Sequence, residues 1–353
     1  MSRFATKTAP AAGPLDKDVA FPEGAKDTIS SIRFSPVTNH MATASWDGNV
    51  YVYDAFSATS IQGVASIEIQ QPVFDCDFSK DGAMIAAVGA DKKVHVYDIA
   101  SGQKKAFEGH EKPVRQVRYV NIPSAGAPII ATGSWDKTVR YWDLRQPQAI
   151  AKIDCGERVY AIDTSSALLV IALADMQVKL VNLNGNPTEV SATIKSPLSH
   201  QIRSVSASPD GTRWGLGSIE GRAGVRSLHD HDKAINLTWR CHREGPTTTT
   251  GRNKEVKIYS VEQVLFHPTN NNIMATAGSD GSFAFWDVKA HSRVKQFPKV
   301  GGPVTAIAFN RDASAFAYAV GYDWSKGYAH NDATYPRKLM LHPVAADETK
   351  SSK

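Results

Sequence analysis

Gly133-Ser134-Trp135-Asp136-Lys137-Thr138-Val139-Arg140-Tyr141-Trp142-Asp143 reads as the small-residue end of one strand, a polar turn built on Asp136, and a second strand closing on an aromatic-Asp pair. Turns of this kind recur along the chain with Asp47, Asp91, Asp136, Asp175, Glu220, Asp280 and Asp323 as their acids, at successive intervals of 44, 45, 39, 45, 60 and 43 residues. A repeat of about 45 residues made of short strands is the signature of a β-propeller, in which one four-stranded blade cannot bury its apolar faces until it stacks on its neighbours. Seven such turns predict an all-β, seven-bladed, single-domain propeller.

Each repeat opens on an alternating apolar segment, such as Ile29, Ile32 and Phe34, or Val73, Cys76 and Phe78, or Val114, Val117 and Tyr119, or Val304, Ile307 and Phe309. Alternation with period two marks a strand with two different faces, and these are read as the inner strands. A second strand, Met41-Ala42-Thr43-Ala44 or Ile129-Ile130-Ala131-Thr132, runs into the acidic turn, and a third leaves it. The fifth interval alone departs from the period. Its surplus falls on Cys241 to Lys257, rich in Gly, Thr, Arg and Lys, and is read as one long loop on one face. The last blade has Lys338-Leu339-Met340-Leu341 as its third strand, so Asp18-Val19-Ala20-Phe21 is expected to complete it and leave no exposed sheet edge. The organisation expected is a disordered tail at 1–14, the propeller at 15–345 and a disordered tail at 346–353.

Lys and Arg total 40 against 35 for Asp and Glu, a formal charge of +5 that by itself is too weak to predict a nucleic-acid partner. Cys76, Cys155 and Cys241 are odd in number and lack the close spacing of a zinc site or redox pair, which fits a reducing compartment. Met1 to Pro14 lacks the apolar stretch of a signal peptide, and no apolar run approaches membrane-spanning length, so membrane insertion is not expected. Paired carboxylates, a metal-ligand cluster and a Gly-rich phosphate loop in adequate context are all missing from the sequence, which argues against an enzyme, a metal and a cofactor. The local concentration of histidine in Leu228-His229-Asp230-His231-Asp232 reads as a polar connection between blades rather than a metal site.

In the third repeat His110, Ser134, Asp136 and Trp142 match the buried hydrogen-bonded tetrad of WD-repeat blades, a device that satisfies polar groups inside a blade. A hydrolase triad of His110, Asp136 and Ser134 is rejected, because the turn that carries it is repeated where no triad is. Other copies are eroded: Asn182 stands where repeat four would have its terminal Asp, and repeat five ends in Val225-Arg226-Ser227.

Gly133-Ser134-Trp135-Asp136-Lys137-Thr138, Gly217-Ser218-Ile219-Glu220-Gly221-Arg222, Trp239-Arg240-Cys241-His242-Arg243 and Gly278-Ser279-Asp280-Gly281 together resemble the nuclear-pore mRNA export factor family of WD-repeat proteins. The sister family, the spindle-checkpoint WD-repeat proteins, shares most of these segments. Tyr322-Asp323-Trp324-Ser325-Lys326-Gly327, after Phe316-Ala317-Tyr318-Ala319, resembles the export branch. The resemblance runs from about Asp27 to Val344. It implies a non-enzymatic adaptor that binds the GLEBS peptide, a short acidic segment of a Phe-Gly-repeat nucleoporin, and supports poly(A) mRNA export. The location implied is the nucleus and nuclear envelope at the pore complex, with a cytoplasmic pool; mRNA-protein complexes and checkpoint kinase peptides are further partners in view.

Carried over by motif, Arg222 faces a peptide glutamate, which suits the forked donors of a guanidinium. Arg240 keeps a positive charge where relatives often have Lys. Trp239 and Trp286 are expected to line a hydrophobic slot beside His291 and Arg293, and Trp286 has a second reading as a tetrad tryptophan inside its blade. His291 departs from the fixed cation that related sequences tend to place there. Trp46 and Trp135 precede turn acids and are assigned to the rim, as packing or partner-contact residues. Two alternatives keep the fold: direct RNA binding through Arg243, Arg252, Lys254 and Lys257 on or beside the long loop, and a checkpoint adaptor that binds kinase peptides of the same type.

Overall fold

The computed structural model describes residues 15–55, 61–245, 255–332 and 334–351, so the tail expected at 1–14 lies outside the described residues. Seven four-stranded antiparallel sheets follow one another at 29–68, 73–107, 114–154, 159–195, 202–240, 261–296 and 304–343. The seventh is completed by Val19–Ala20, whose residues pair with Leu341 and Met340. The closure expected from the sequence is therefore present, and the first and last segments share one sheet.

The core is divided among the blade interfaces. One apolar cluster lies between each pair of neighbours, including blades seven and one, where Phe21, Ile32 and Met41 meet Ala317, Leu339 and Leu341. Between blades three and four, Ile129, Val139 and Tyr141 pack on Ile162, Leu169 and Ile171. Small residues before the acidic turns make this stacking close: a Cβ on Gly133 would meet Val159 of the next blade at 2.7 Å.

The inner strands carry a feature that their apolar alternation concealed. In all seven blades the register with the second strand slips after the first residue, between Ile29 and Ser31, Val73 and Asp75, Val114 and Gln116, Val159 and Ala161, Ile202 and Ser204, Val261 and Gln263, and Val304 and Ala306. Such a bulge re-aims one side chain. Polar side chains just beyond it tie each inner strand to the next: Asp75 accepts from the Val117 amide at 3.1 Å, Gln116 from Ile162 at 2.6 Å, Ser204 from Val264 at 2.8 Å and Gln263 from Ile307 at 2.7 Å. These bonds satisfy inner-strand amides that have no sheet partner on the channel side.

Two expectations are corrected. Arg243–Glu244 pairs with Lys257–Ile258 in a two-stranded ribbon, so the insertion read as one long loop has a hydrogen-bonded base. The ordered chain also continues past 345: Glu348 is 4% exposed, and its carboxylate accepts from the Ala345 amide at 3.1 Å and lies 3.0 Å from His342. Composition alone gave no sign of that buried contact.

Candidate functional site

The bulged residues, Ser30, Phe74, Arg115, Tyr160, Arg203, Glu262 and Thr305, stand in a ring at the end of the channel where the inner strands begin, here called the upper mouth. All but Tyr160 line a cavity of about 300 Å³ there. Acidic turns bring in the rest of the rim. Trp46 precedes its turn acid and stacks on Trp324, which follows one, at 4.5 Å between ring centres; Trp46 also lies 5.2 Å from Phe74, which is 5.8 Å from Trp135. The result is an aromatic arc across blades seven, one, two and three, beside a charged half on blades three, five and six.

That charged half is unbalanced. Arg203 pairs with Glu262 at 2.8 Å, whereas the guanidinium of Arg115 has no hydrogen bond or ion pair among the described residues. Burial, followed by repulsion from Arg203, lowers the pKa of Arg115, while Asp75 and Glu262 pull the other way. Below it, Arg118 bonds to Asp163 at 2.9 Å and to Asp75, and Arg33 lies 3.8 Å from Asp163. The channel interior thus sets two arginines against two aspartates and leaves one cation over at the upper mouth. Removing a charge from water without a partner is costly, so such a group favours an incoming carboxylate.

The predicted site residues do not converge. Strand direction alternates within a blade, so Arg222, opening the third strand of blade five, and Arg240, closing the fourth and paired with it in register, both lie at the upper face. Arg222 is 3.4 Å from Glu220. Gly221, at φ +62°, brings the turn against the following segment: Arg243 donates to the Gly221 carbonyl at 3.1 Å and the Glu220 carbonyl at 2.6 Å. Burial first, then repulsion from Arg222 and Arg240, lowers the pKa of Arg243, as expected of three guanidiniums gathered on one edge. His291 lies in the turn joining the third and fourth strands of blade six, at the opposite end of the channel, and Arg293 follows it. Trp239 and Trp286 are 3% and 5% exposed and pack on each other at 5.7 Å in the core between blades five and six, so the open slot expected between them is filled. The Arg293 guanidinium lies 5.8 Å from the Trp286 ring and also bonds Gln296 at 2.6 Å. Lys257 sits in the ribbon, while Arg252 and Lys254 lie outside the described residues.

The tetrad geometry differs from the expected set by one residue. Trp142 Nε1 donates to Thr132 Oγ1 at 2.8 Å, Thr132 is 2.7 Å from His110 Nε2, and His110 Nδ1 is 2.7 Å from Asp136. The linking hydroxyl is therefore that of Thr132. Ser134, two residues on, donates to the Pro113 carbonyl at 2.9 Å and accepts from the Asp136 amide at 3.0 Å. Burial lowers the pKa of His110 despite the opposing pull of Asp136, and a neutral imidazole donating from Nδ1 and accepting at Nε2 satisfies every member of the chain. Blade six repeats the arrangement with Trp286, Thr276, His242 and Asp280, at 2.9, 2.9 and 2.8 Å. Of this second tetrad the sequence reading had only Trp286, as one of two alternatives, and not His242 or Thr276, although Thr276, Asp280 and Trp286 keep the spacing of Thr132, Asp136 and Trp142. Among the described residues no group of three His, Cys, Asp or Glu side chains is placed to hold a metal, and no helix is long and apolar enough to cross a membrane.

A closed ring of seven four-stranded blades, two of them carrying such tetrads, defines a WD-repeat propeller. The repeat family described as WD domain, G-beta repeat, matches at 17–54, 64–98, 101–143 and 238–287. Over nearly its whole length the chain is similar to three fungal proteins: WD40 repeat protein poxJ of Penicillium oxalicum, 43% identical over 94% of this chain and 95% of that one; mRNA export factor GLE2 of Chaetomium thermophilum, 42% over 96% and 93%; and the Poly(A)+ RNA export protein of Schizosaccharomyces pombe, 42% over 96% and 94%. The chain belongs to the mRNA export factor family of WD-repeat proteins.

Proposed function

We propose that this protein is a non-enzymatic adaptor in poly(A) mRNA export, and that it captures the acidic GLEBS segment of a Phe-Gly-repeat nucleoporin across its upper face, so docking at the nuclear pore. The observation that carries this reading is the aromatic arc of Trp46, Phe74, Trp135 and Trp324 leading to Arg115, a recessed guanidinium with no ion pair among the described residues. Aromatic faces give an extended peptide apolar burial, and the unpaired cation selects an acidic one. A preformed rim loses little freedom on binding, so the ordering cost falls on the peptide alone. Arg222 and Arg240 share that face and extend its positive charge outward over blade five. A protein doing this work resides in the nucleus and at the nuclear envelope, with a cytoplasmic pool between docking events.

Calorimetry with a synthetic GLEBS peptide tests the proposal. Arg115→Glu is expected to weaken binding by about 2–5 kcal/mol, because it replaces the cation with a second buried anion beside Glu262. Arg222→Glu with Arg240→Glu is expected to cost less, about 1–2 kcal/mol, since both groups are more solvated. Unchanged affinity in the Arg115 variant would remove the mouth from the site. Loss confined to the double variant would place the peptide on the outer edge of blade five.

A second reading rests on the same gathering of Arg222, Arg240 and Arg243, which fits RNA phosphates carried alongside a bound nucleoporin. RNA affinity should then fall steeply with salt, and a flat salt response would exclude phosphate contacts as its source.

A further inference from the structure

The opposite end of the channel, where the inner strands finish, has the reverse imbalance. Phe34, Phe78 and Phe309 lie at the ends of the inner strands of blades one, two and seven, and Tyr119 and Phe266 lie one residue from the end in blades three and six. They line a cavity of about 270 Å³ together with Asp77 and Arg33. Inside the channel Arg33 and Arg118 are matched by Asp75 and Asp163. Asp77 is left over. Its carboxylate accepts from the Tyr119 amide at 2.8 Å and has no cation within 4 Å among the described residues. The Tyr119 hydroxyl, on a side chain in a residue only 6% exposed, has no hydrogen-bond partner among them either.

We propose that this lower mouth is a second ligand site, which takes a primary ammonium group carried on an apolar stem, with the Asp77 carboxylate and the Tyr119 hydroxyl as its acceptors. An ammonium offers three donors and no acceptor, and both oxygens belong to residues that line this one cavity. Ring faces around the site favour a cation over a neutral group. The stem has somewhere to lie: Tyr119 and Lys80 also line an adjoining cavity of about 330 Å³ whose other walls include Val120, Ile122, Pro123 and Pro128 on the apolar side and Asp81 and Asn121 on the polar side. Burial, with repulsion from Asp75 and Asp163, raises the Asp77 pKa to about 7, against the opposing influence of Arg33 and the Tyr119 amide. Arg33 lies 3.8 Å from Asp163, with its Nε lacking a hydrogen-bond partner among the described residues, and is the nearest opposing charge on Asp77 but outside ion-pair distance of it; Lys80 stands exposed at the rim, where water screens it. The ammonium has two natural sources, a lysine of a partner polypeptide or a free amine, and the chemistry recognised is the same.

The test uses the full chain at a pH of about 8, where such a carboxyl is ionised and an alkylamine is still protonated. Hexylammonium is titrated by calorimetry and by saturation-transfer NMR, beside hexan-1-ol and hexanoate. Saturable binding of hexylammonium, at least about tenfold tighter than either control and weakened about tenfold by Asp77→Asn or Tyr119→Phe, is the expected result. Tyr119→Phe keeps the ring and the packing, so it gives a reading even where Asp77→Asn disturbs folding. Binding of acetyl-Leu-Lys-Leu-amide as tight as that of hexylammonium identifies a polypeptide source, and binding of the free amine alone identifies a small molecule. Absence of saturable amine binding, equal binding of hexan-1-ol, or undiminished affinity in the Tyr119 variant would overturn the proposal and leave a mouth filled by water.

Discussion

Trp142→Ala is expected to lower the stability of the propeller by about 3–5 kcal/mol, read as a drop in the midpoint of chemical denaturation. The side chain is fully buried between blades two and three, against Phe107, Val114 and Val117, so its loss opens a cavity at an interface. It also removes the donor at the head of the chain that runs through Thr132 and His110 to Asp136. Two milder variants separate cavity from hydrogen bonding. Thr132→Val keeps the volume but strands both the Trp142 N–H and the His110 Nε2 acceptor, each costing about 1–3 kcal/mol when buried and unsatisfied. Ser134→Ala breaks only a link to the neighbouring loop and one turn amide, and should cost less than Thr132→Val. The reverse order would make Ser134 the tetrad hydroxyl and refute the geometry.

What the sequence made legible was whatever repeats. The period, the seven blades and the closing strand Val19–Ala20 all follow from apolar alternation and acidic turns, because each blade solves the same burial problem. Features that break the repeat were hidden. The His242 and Thr276 members of the second tetrad went unseen, although Trp286 was read as one possible tetrad tryptophan, because the insertion stretches the His-to-Thr separation from 22 residues in blade three to 34 in blade six. Thr132 and Ser134 are two positions apart on one strand, hence on one face, and residue type alone cannot separate two hydroxyls there. Arg115 was hidden by its bulge: simple alternation assigns the residue after Val114 no special direction, and only the register slip turns it into the mouth. Aligning the residue after the first apolar position in every repeat would have shown Phe74, Arg115, Arg203 and Glu262 as a set. Trp46 and Trp135 were visible at the rim because they adjoin the repeating acids. Carrying Arg222 and Trp286 over by motif gave no sign of their separation along the channel axis.

The closing seam is expected to weaken as pH rises. His342 Nδ1 lies 2.6 Å from Asp18, on the segment that enters the last blade, and its Nε2 lies 3.0 Å from Glu348, beyond the last strand, so one imidazolium joins both ends of the chain. Tyr318 donates to the second Asp18 oxygen at 2.6 Å, Lys295 lies 3.8 Å from Glu348, and the Phe297 ring sits 4.9 Å from the imidazole. Burial alone would lower the His342 pKa, but hydrogen bonds to two carboxylates outweigh it and raise it to about 9. A folded-state pKa above the unfolded value of about 6.5 means that the stabilisation, roughly 3 kcal/mol, is complete below about pH 6.5 and lost as pH climbs through 9. Glu348 acts in the opposite sense: burial raises its pKa, the bonds from His342 and the Ala345 amide lower it further than that, and its contribution disappears as pH falls below the usual carboxylate range. Stability should therefore be greatest between about pH 5 and 6.5, and His342→Gln should abolish the alkaline decline while costing about 3–5 kcal/mol at neutral pH, because it leaves the buried Asp18 carboxylate without a cation and Glu348 with Lys295 alone. Among the described residues the backbone tie is short, Val19 and Ala20 in register with Leu341 and Met340 and the Phe21 amide donating to the Leu339 carbonyl at 2.9 Å, so the clasp is expected to carry much of the seam. Amide exchange at Val19 to Phe21, corrected for its intrinsic dependence on pH, should accelerate with the same titration, and a seam that exchanges no faster at pH 9 than at pH 6 would show that the ladder holds without it.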